Sequence, residues 1–409
     1  MRGRWVVLDQ ALSSGSNFLL SFVLVRSISP HSFGAFGIAL VTFQAVLSLS
    51  RTQVSEPMVI RFSNSSDEDW RRASRSSTGF ALVLGVLAAA GMIVVGLFTT
   101  GALRSSLITL AIILPALLVQ DAWRFAFFAQ GRPARAAAND FIWTAIQCGL
   151  LLAAVLSDAI SITTAILAWG IAATVAAVAG AFQAGCAPRP GRARAWLRGN
   201  KVLGGVLSAD LVVRSTSMQG AMFAVGALAG LTSVGYLRAG LLLFGPLYAL
   251  NQAAVPFAVS ECVRLWETRA ELMQRATFFL SLVLGASGLL LGMVLLLMPD
   301  TVGRGLLGES WHGTRNLLPA MTALAFTAGV AVGPAVGLRA IRSVRRLLAV
   351  SLVLAPVTII LASGGALVDE ANGATWGLVA ANAVTASALL WQFRSALRTG
   401  WGSFGYQSR

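Results

Sequence analysis

The sequence predicts an all-α integral membrane protein with about twelve transmembrane helices, arranged as two six-helix lobes that a parallel internal repeat relates. Three observations support this fold class: an apolar composition, a one-sided distribution of basic residues and a weak similarity between the two halves. Of 409 residues, 56% are hydrophobic and only 11% are charged, and the mean hydropathy is +0.75. Soluble domains carry about 25% charged residues, so we expect most of this surface to meet lipid.

Apolar runs of about 20 residues, the length that crosses a bilayer, recur along the chain. The connections between them are short and leave no room for an extramembrane domain. The predicted spans are 5–28, 35–56, 77–98, 105–129, 139–157, 162–184, 203–228, 233–258, 276–298, 317–338, 347–364 and 375–393.

The basic residues predict the orientation. If the N-terminus is inside, 23 of the 31 basic residues fall at the ends and in the even-numbered connections, and five lie within spans. Only Arg104, Arg304 and Arg315 fall on the other side. Because short cytoplasmic loops are rich in Lys and Arg, both termini are predicted to be cytoplasmic, in a bacterial inner membrane. The net charge of +15 is therefore interpreted as a topology signal, and nucleic acid is not expected as a partner.

The two halves of the chain match weakly at an offset of about 200 residues. These matches predict an N-terminal lobe over 1–185, a cytoplasmic linker over 186–201, and a C-terminal lobe with a short cytoplasmic tail over 202–409. The matched positions are Asp9 with Asp210, Gly34 with Gly235, Pro57 with Pro256, and Leu114-Pro115-Ala116 with Leu318-Pro319-Ala320.

The first two helices of each predicted lobe carry polar stripes at helical spacing. Such stripes line a water-filled cavity between lobes or form hydrogen bonds between helices, and the sequence leaves both interpretations open. The stripes contain Asp9, Ser13, Ser16 and Asn17 on span 1; Gln44, Ser48, Arg51 and Ser55 on span 2; Asp210, Arg214 and Ser217 on span 7; and Arg238, Tyr248, Asn251 and Gln252 on span 8.

Arginines inside a membrane span are costly and need a partner, a wet cavity or an interface. Arg51, on a polar stripe, is the strongest candidate for a substrate-facing cation. Arg26 and Arg238 lie near span ends, so both a substrate-facing role and an interfacial position remain open. The spacing of Arg214 after Asp210, and of Arg124 after Asp121, favours structural ion pairs.

Other predicted features concern coupling and movement. Asp9, Asp210 and Glu56 are candidates for ion coupling or gating, although Glu56 also suits a solvated helix end before Pro57. Gly333 and Pro334 form a candidate hinge on a close-packing helix face.

The three cysteines and two histidines show no metal-binding pattern, and we find no cofactor motif and no catalytic nucleophile–base set. We therefore expect no metal, no cofactor and no enzyme activity.

Two segments carry a recognisable pattern: residues 8–40, with Arg26, Ser29-Pro30, Phe33-Gly34 and Gly37, and residues 235–250, with Gly245-Pro246. The first resembles the opening, and the second the eighth span, of polysaccharide flippases of the O-antigen and teichoic-acid type. These flippases belong to the multidrug/oligosaccharidyl-lipid/polysaccharide exporter superfamily. The peptidoglycan-precursor flippases of this superfamily have two further C-terminal helices, so twelve spans favour the polysaccharide branch.

The resemblance implies alternating access and a lipid-linked sugar diphosphate as substrate, moved to the outer leaflet. It also implies a cationic cavity, for which Arg26, Arg51 and Arg238 are the matching residues; arginine suits phosphate because it binds two oxygens at once. Expected partners are the substrate, membrane lipids, and a polysaccharide polymerase or glycosyltransferases. The alternatives are a multidrug exporter and a membrane-embedded polymerase or ligase. The full candidate binding set is Arg26, Arg51, Arg238, Gln44, Ser48, Asn17, Tyr248 and Gln252.

Overall fold

The computed structural model describes the backbone of residues 2–63 and 65–404. Side chains are described over the same ranges except at 2–4, 6–11, 206, 209–216, 252, 253, 267, 344 and 399–404. All regular structure in these ranges is helical, which confirms the predicted all-α membrane fold. The chain divides into two compact units, 1–212 and 213–409.

The first unit is built from seven helices and the start of an eighth. Ser29 and Ser66 cap α2 and α4 by accepting hydrogen bonds from the N–H groups of Ser32 and Asp69. A π-helical turn, Arg51–Ser55, separates α2 from α3. The helices are α1 (Arg2–Ser27), α2 (Pro30–Ser50), α3 (Glu56–Phe62), α4 (Asp67–Leu97), α5 (Gly101–Ala129), α6 (Pro133–Leu156), α7 (Ile162–Ala184) and α8 (Ala193–Leu228), which runs through the boundary between the units.

Helix α5 is the centre of the first unit and packs against α2, α4, α6 and α7. Small residues allow this close packing. A side chain at Gly85 of α4 would lie 2.6 Å from the Cα of Pro115, and one at Gly180 of α7 would lie 2.7 Å from the ring of Trp123. Trp123 is fully buried in an aromatic cluster with Trp70 and Phe127. The core of this unit therefore lies around α5.

The second unit repeats this organisation around α13. Helix α13 packs against α9, α10, α11 and α14, and it contains the Leu-Pro-Ala segment that matches the one in α5. Helix α14 is broken at Asp369 and Glu370, between the two spans predicted there. The helices are α9 (Gly230–Leu243), α10 (Gly245–Thr268), α11 (Ala270–Leu296), α12 (Asp300–Leu307), α13 (Ser310–Ala340) and α14 (Val344–Phe404).

The helices are long and apolar enough to cross a bilayer. Within the described residues, eight helices meet this criterion, and the number is nine if α9 and α10, which meet at 57°, form a single span. Large apolar side chains such as Leu87, Ile112 and Phe182 are more than half exposed. In water this would be unfavourable, whereas in a membrane the same surface contacts acyl chains. The protein is therefore a multi-pass membrane protein.

The predicted linker, 186–201, is only partly extended. It forms a short 3₁₀ turn at Pro190–Arg192 and continues from Ala193 as the first turns of α8, which pack within the first unit. The backbone N–H of Arg189 donates to the carbonyl of Arg75 at 2.8 Å, and Gly79 provides the space for this approach because any side chain there would overlap Arg189. The segment is thus attached to α4.

Candidate functional site

The candidate site begins at the π-helical turn between α2 and α3. A π turn contains one extra residue per turn, so it redirects the side chains that follow, and such turns are frequent at functional sites. Pro57 follows the turn and has no N–H, which leaves the carbonyl of Gln53 without its usual helical donor. The indole Nε1 of Trp196 supplies that bond at 3.0 Å. Trp196 of α8 therefore stabilises the distorted turn.

Arg51 is the first residue of the π turn and binds Asp121 of α5. Its Nη2 donates to Oδ1 at 2.7 Å, and its Nε lies 3.2 Å from both carboxylate oxygens. The guanidinium also lies 5.5 Å from the ring centroid of Phe125. Its side chain remains 38% exposed, whereas that of Asp121 is 7% exposed. Arg51 is therefore held on one side by a buried carboxylate and remains accessible on the other.

A second, more deeply buried ion pair lies beside the first. Arg124 Nε is 3.4 Å from Asp140 Oδ2, and both side chains are less than 10% exposed. Gln120 Nε2 donates to Asp140 Oδ1 at 2.8 Å, and Asn139 Nδ2 donates to the carbonyl of Ala176 at 2.8 Å. These bonds connect α5, α6 and α7. Buried charges persist in an apolar environment only when they are paired and hydrogen-bonded in this way.

The two ion pairs form one electrostatic cluster. The charge of Arg51 interacts electrostatically with those of Asp121, Arg124 and Asp140. Two arginines and two aspartates give the cluster a formal charge of zero. The cluster therefore presents one directed guanidinium to its surroundings, rather than a broad positive field.

The same π turn also forms hydrogen bonds with the first turns of α8. Gln53 Nε2 donates to Ser208 Oγ at 2.8 Å and to the carbonyl of Gly204 at 3.1 Å. The hydroxyls of Thr52 and Ser208 are 2.9 Å apart. Arg51 thus faces α5 while its two neighbours face α8, a division that the extra residue of the π turn makes possible.

Within the first unit, the structure separates the predicted binding residues. Arg26 is exposed at the end of α1, and the 21 residues of α2 lie between it and Arg51, which is about 30 Å of helix. Gln44 is exposed and Ser48 half-buried on α2. Asn17 is exposed and donates to the carbonyl of Ser13 at 2.9 Å in its own helix. Arg26 and Arg51 therefore belong to opposite ends of the unit.

The remaining predicted residues lie elsewhere. Arg238 on α9 and Tyr248 on α10 are half-buried in the second unit. Glu56 is half-buried at the start of α3. The side chains of Asp9, Asp210, Arg214 and Gln252 lie outside the described residues, so their predicted roles, including the Asp210–Arg214 pair, remain predictions.

The candidate hinge lies on a tightly packed helix face. A side chain at Gly329 would lie 2.6 Å from the backbone of Leu284 in α11, and Gly333 contacts the same helix. Pro334 deprives the carbonyl of Val330 of its helical donor, and Ser281 Oγ supplies the bond at 2.8 Å. The close-packing interpretation agrees with these contacts, while the hinge remains a prediction.

Sequence reasoning missed part of the cluster. The pairing of Asp121 and Arg124 was inferred from their spacing alone, whereas the structure joins Asp121 to Arg51 and Arg124 to Asp140. Asn139, Asp140 and Gln147 occupy one face of α6, and each is buried. The signal was present as polar residues spaced by seven and eight along an otherwise apolar span.

Comparison with known proteins supports the fold. No family model and no curated protein matches the chain. Among solved structures, it resembles an inward-facing multidrug resistance transporter of the MATE family in the MOP superfamily, with a TM-score of 0.74 and 15% identity over 96% of both chains. It also resembles the lipid II flippase MurJ, with a TM-score of 0.73 and 13% identity over 95% of this chain and 87% of the other.

A third similar structure is a MOP-superfamily transporter from Pyrococcus furiosus, described as having a binding pocket of reversed polarity, with a TM-score of 0.56 and 14% identity over 96% of this chain and 95% of the other. The chain therefore has the fold of MOP-superfamily transporters. At these identities the comparison establishes the architecture of about twelve helices in two lobes and leaves the substrate open.

Proposed function

We propose that this protein is a flippase that moves a lipid-linked oligosaccharide, carried on a polyprenyl diphosphate, across the bacterial cytoplasmic membrane for synthesis of a surface polysaccharide. The observation that carries the proposal is Arg51, whose side chain is 38% exposed and whose guanidinium is held in place by a buried carboxylate. The fold it shares with MOP-superfamily transporters, one of them a lipid II flippase by name, is compatible with this role.

The chemistry of Arg51 suits a diphosphate. A guanidinium has five N–H donors, and the bonds to Asp121 use the one on Nε and one of the two on Nη2. The remaining donors point in the plane of the same fork and can bind two phosphate oxygens. Since Asp121 and Phe125 already restrict the side chain, little rotamer entropy is lost when an anion binds.

The other predicted residues have subordinate roles in this proposal. Arg26 lies about 30 Å along the chain from Arg51, too far to share one phosphate, so it suits a separate stage of passage near the outer face. Gln44 and Ser48 lie on α2, which leads into the π turn that contains Arg51, and offer hydrogen bonds to sugar hydroxyls. Arg238 and Tyr248 supply corresponding groups from the second unit. Asp9, Asp210 and Glu56 remain candidates for ion coupling or gating.

A multidrug exporter is the main alternative, and a specific observation favours it. The first unit buries two carboxylates, Asp121 and Asp140, which suit a cationic drug or a coupling ion. Several of the similar solved structures are multidrug transporters by name. Against this alternative, each of these carboxylates is paired with an arginine, so the cluster has no net negative charge to attract a cation.

Reconstitution distinguishes these functions. Purified protein in liposomes is supplied with a fluorescent polyprenyl-diphosphate oligosaccharide, and the fraction that reaches the opposite leaflet is measured by chemical quenching. We expect transport above that of empty liposomes, and no accumulation of ethidium in a parallel dye assay. Ethidium transport without lipid flipping would support the multidrug alternative, and incorporation of sugar into polymer would support the polymerase alternative.

Arg51 is tested in the same assay. Arg51→Ala should abolish transport while leaving membrane insertion intact. Because this change leaves Asp121 unpaired, the double variant Arg51→Gln/Asp121→Asn removes both charges at nearly constant volume. We expect it to lose 10- to 100-fold in transport, about the effect of one charge-assisted contact to phosphate.

The matched control is Arg198→Gln, which removes one exposed arginine from α8. It should transport at the wild-type rate. If the double variant transports as well as this control, Arg51 does not bind the head group and the proposal loses its principal residue.

A further inference from the structure

The first unit contains an apolar groove that the transport proposal does not use. It has a volume of about 680 Å³ and lies between α4, α5 and α7, which contribute Leu82, Ile112, Val119, Val178 and Phe182. Ile112 and Phe182 are more than half exposed at its walls. A groove with these dimensions and this lining accommodates acyl chains, because its lining offers almost no hydrogen-bonding groups.

One end of the groove is closed by the segment after α7. Cys186 and Pro188 line that end, and Arg189 follows them. The distribution of basic residues assigns this end to the cytoplasmic side. Arg189 is attached to α4 through the carbonyl of Arg75, so the closing segment has a defined position against the helix.

Two arginines of α4 lie near this end. The backbone carbonyl of Arg75 accepts the hydrogen bond from Arg189, three residues after Cys186, and Arg71 and Arg75 both interact electrostatically with the Cys186 thiol. Burial raises the pKa of the Cys186 thiol, while these two arginines oppose that rise. Arg75 is seven residues, or about 10 Å, before Leu82 on the same face of α4. That separation is comparable to the distance between a lipid phosphate and its upper acyl carbons.

The nearby carboxylates do not cancel this charge. Glu68 and Asp69, at the start of α4, form ion pairs with Arg72 at 2.9 and 4.0 Å. Asp67, in the same turn, accepts a hydrogen bond from Gln130. Four arginines (Arg71, Arg72, Arg75 and Arg189) against these three carboxylates leave a net charge of +1 near the cytoplasmic end of the apolar groove. This combination of a basic end and an apolar body is complementary to an anionic phospholipid.

We propose that the groove between α4, α5 and α7 binds one anionic phospholipid, with its acyl chains in the groove and its phosphodiester beside Arg71 and Arg75. The site lies wholly within the first unit and is independent of the transported substrate. A bound lipid would cover the exposed apolar walls and connect α4 with α7, so it would stabilise this unit.

Native mass spectrometry of the full chain in a mild detergent tests the site. The probes are dioleoyl phosphatidylglycerol and dioleoyl phosphatidylcholine, which share acyl chains and differ in net charge. We expect the anionic lipid to bind at least fivefold more tightly, because each basic residue near a membrane surface contributes about that factor. Equal binding of the two lipids would overturn the proposal.

Two variants test the two halves of the site separately. Arg75→Gln should weaken phosphatidylglycerol about fivefold without affecting phosphatidylcholine, whereas its control, Arg198→Gln, should affect neither. Ala181→Phe fills the groove and should weaken both lipids, whereas Val175→Phe, on α7 but outside the groove lining, should not. If both Arg75→Gln and Ala181→Phe bind lipid as the wild type does, the lipid lies elsewhere.

A competition experiment distinguishes a lipid site from a simple anion site. Excess sn-glycerol 3-phosphate carries the head-group charge but no acyl chains. We expect it to leave the phosphatidylglycerol adduct unchanged. Full competition would show that the arginines bind free phosphate and would contradict a role for the groove.

Discussion

The central helices of the two units, α5 and α13, occupy equivalent places but pack with different chemistry. Both contain a Leu-Pro-Ala segment whose leucine is fully buried. Beyond it, α5 buries polar and charged residues, and α13 has apolar ones. At an offset of 204 residues, Gln120, Asp121 and Arg124 of α5 correspond to Leu324, Ala325 and Ala328 of α13.

The difference shows that the central helix of the first unit keeps buried charged side chains, although burying a charge is unfavourable in free energy. Helix α13 packs closely against α11 through glycines, as membrane helices commonly do. Helix α5 instead retains charges that burial would destabilise if they were unpaired. Because the same helical frame has apolar residues at these positions in the second unit, the packing of a central helix does not by itself require the charges of the first unit.

The buried pair should show the largest effect on stability. Asp140→Ala removes the carboxylate that pairs with Arg124 and the nearer of the two acceptors of Gln120 Nε2, so we expect a loss of about 3–5 kcal/mol and a strongly lowered Tm in detergent. The double variant Arg124→Met/Asp140→Leu imitates the apolar second unit and should recover most of that loss. A double variant that is no more stable than Asp140→Ala would contradict the comparison.

The glycine contacts should show an intermediate effect in the second unit. Gly329→Ala places a methyl group 2.6 Å from the backbone of Leu284 and Gly285, so we expect a loss of about 1–3 kcal/mol, measured as a lower Tm. Gly364→Ala is the matched control, since nothing lies within 4 Å of its new methyl group. It should be neutral or stabilising by up to about 1 kcal/mol, because alanine favours helix. Equal behaviour of the two variants would show that α11 and α13 separate readily.

The smallest effect concerns a feature that both units share. Pro57 and Pro334 each free a carbonyl, and Trp196 or Ser281 of another helix donates to it. Ser281→Ala should therefore cost about 1 kcal/mol, visible as a small decrease in Tm. Ser287→Ala, whose hydroxyl bonds within its own helix, should have less effect. If Ser287→Ala costs as much, the proline-freed carbonyl has no special need for a donor.

Much of the fold was predictable because membrane constraints act locally. The ends of spans 4 to 6 were predicted within six residues of those of α5, α6 and α7, and the break at Asp369 lies between the last two predicted spans. The start of α4 was misplaced by ten residues, since the polar first turns of this helix carry no hydropathy signal. Likewise, the first turns of α8 were assigned to the linker, because they are basic and closely follow Pro190.

The sequence by itself determined the all-helical membrane class and most of the helix positions, and it selected Arg51 as a candidate residue, because hydropathy, helical spacing and the cost of a buried charge are properties of local sequence. Only the tertiary structure decided that Arg51 binds Asp121, that Arg124 binds Asp140 and that Trp196 compensates for Pro57. Such partners are distant along the chain, and a π turn changes the direction of each side chain that follows it. Contacts of this kind depend on how helices pack, which no spacing within a single helix encodes.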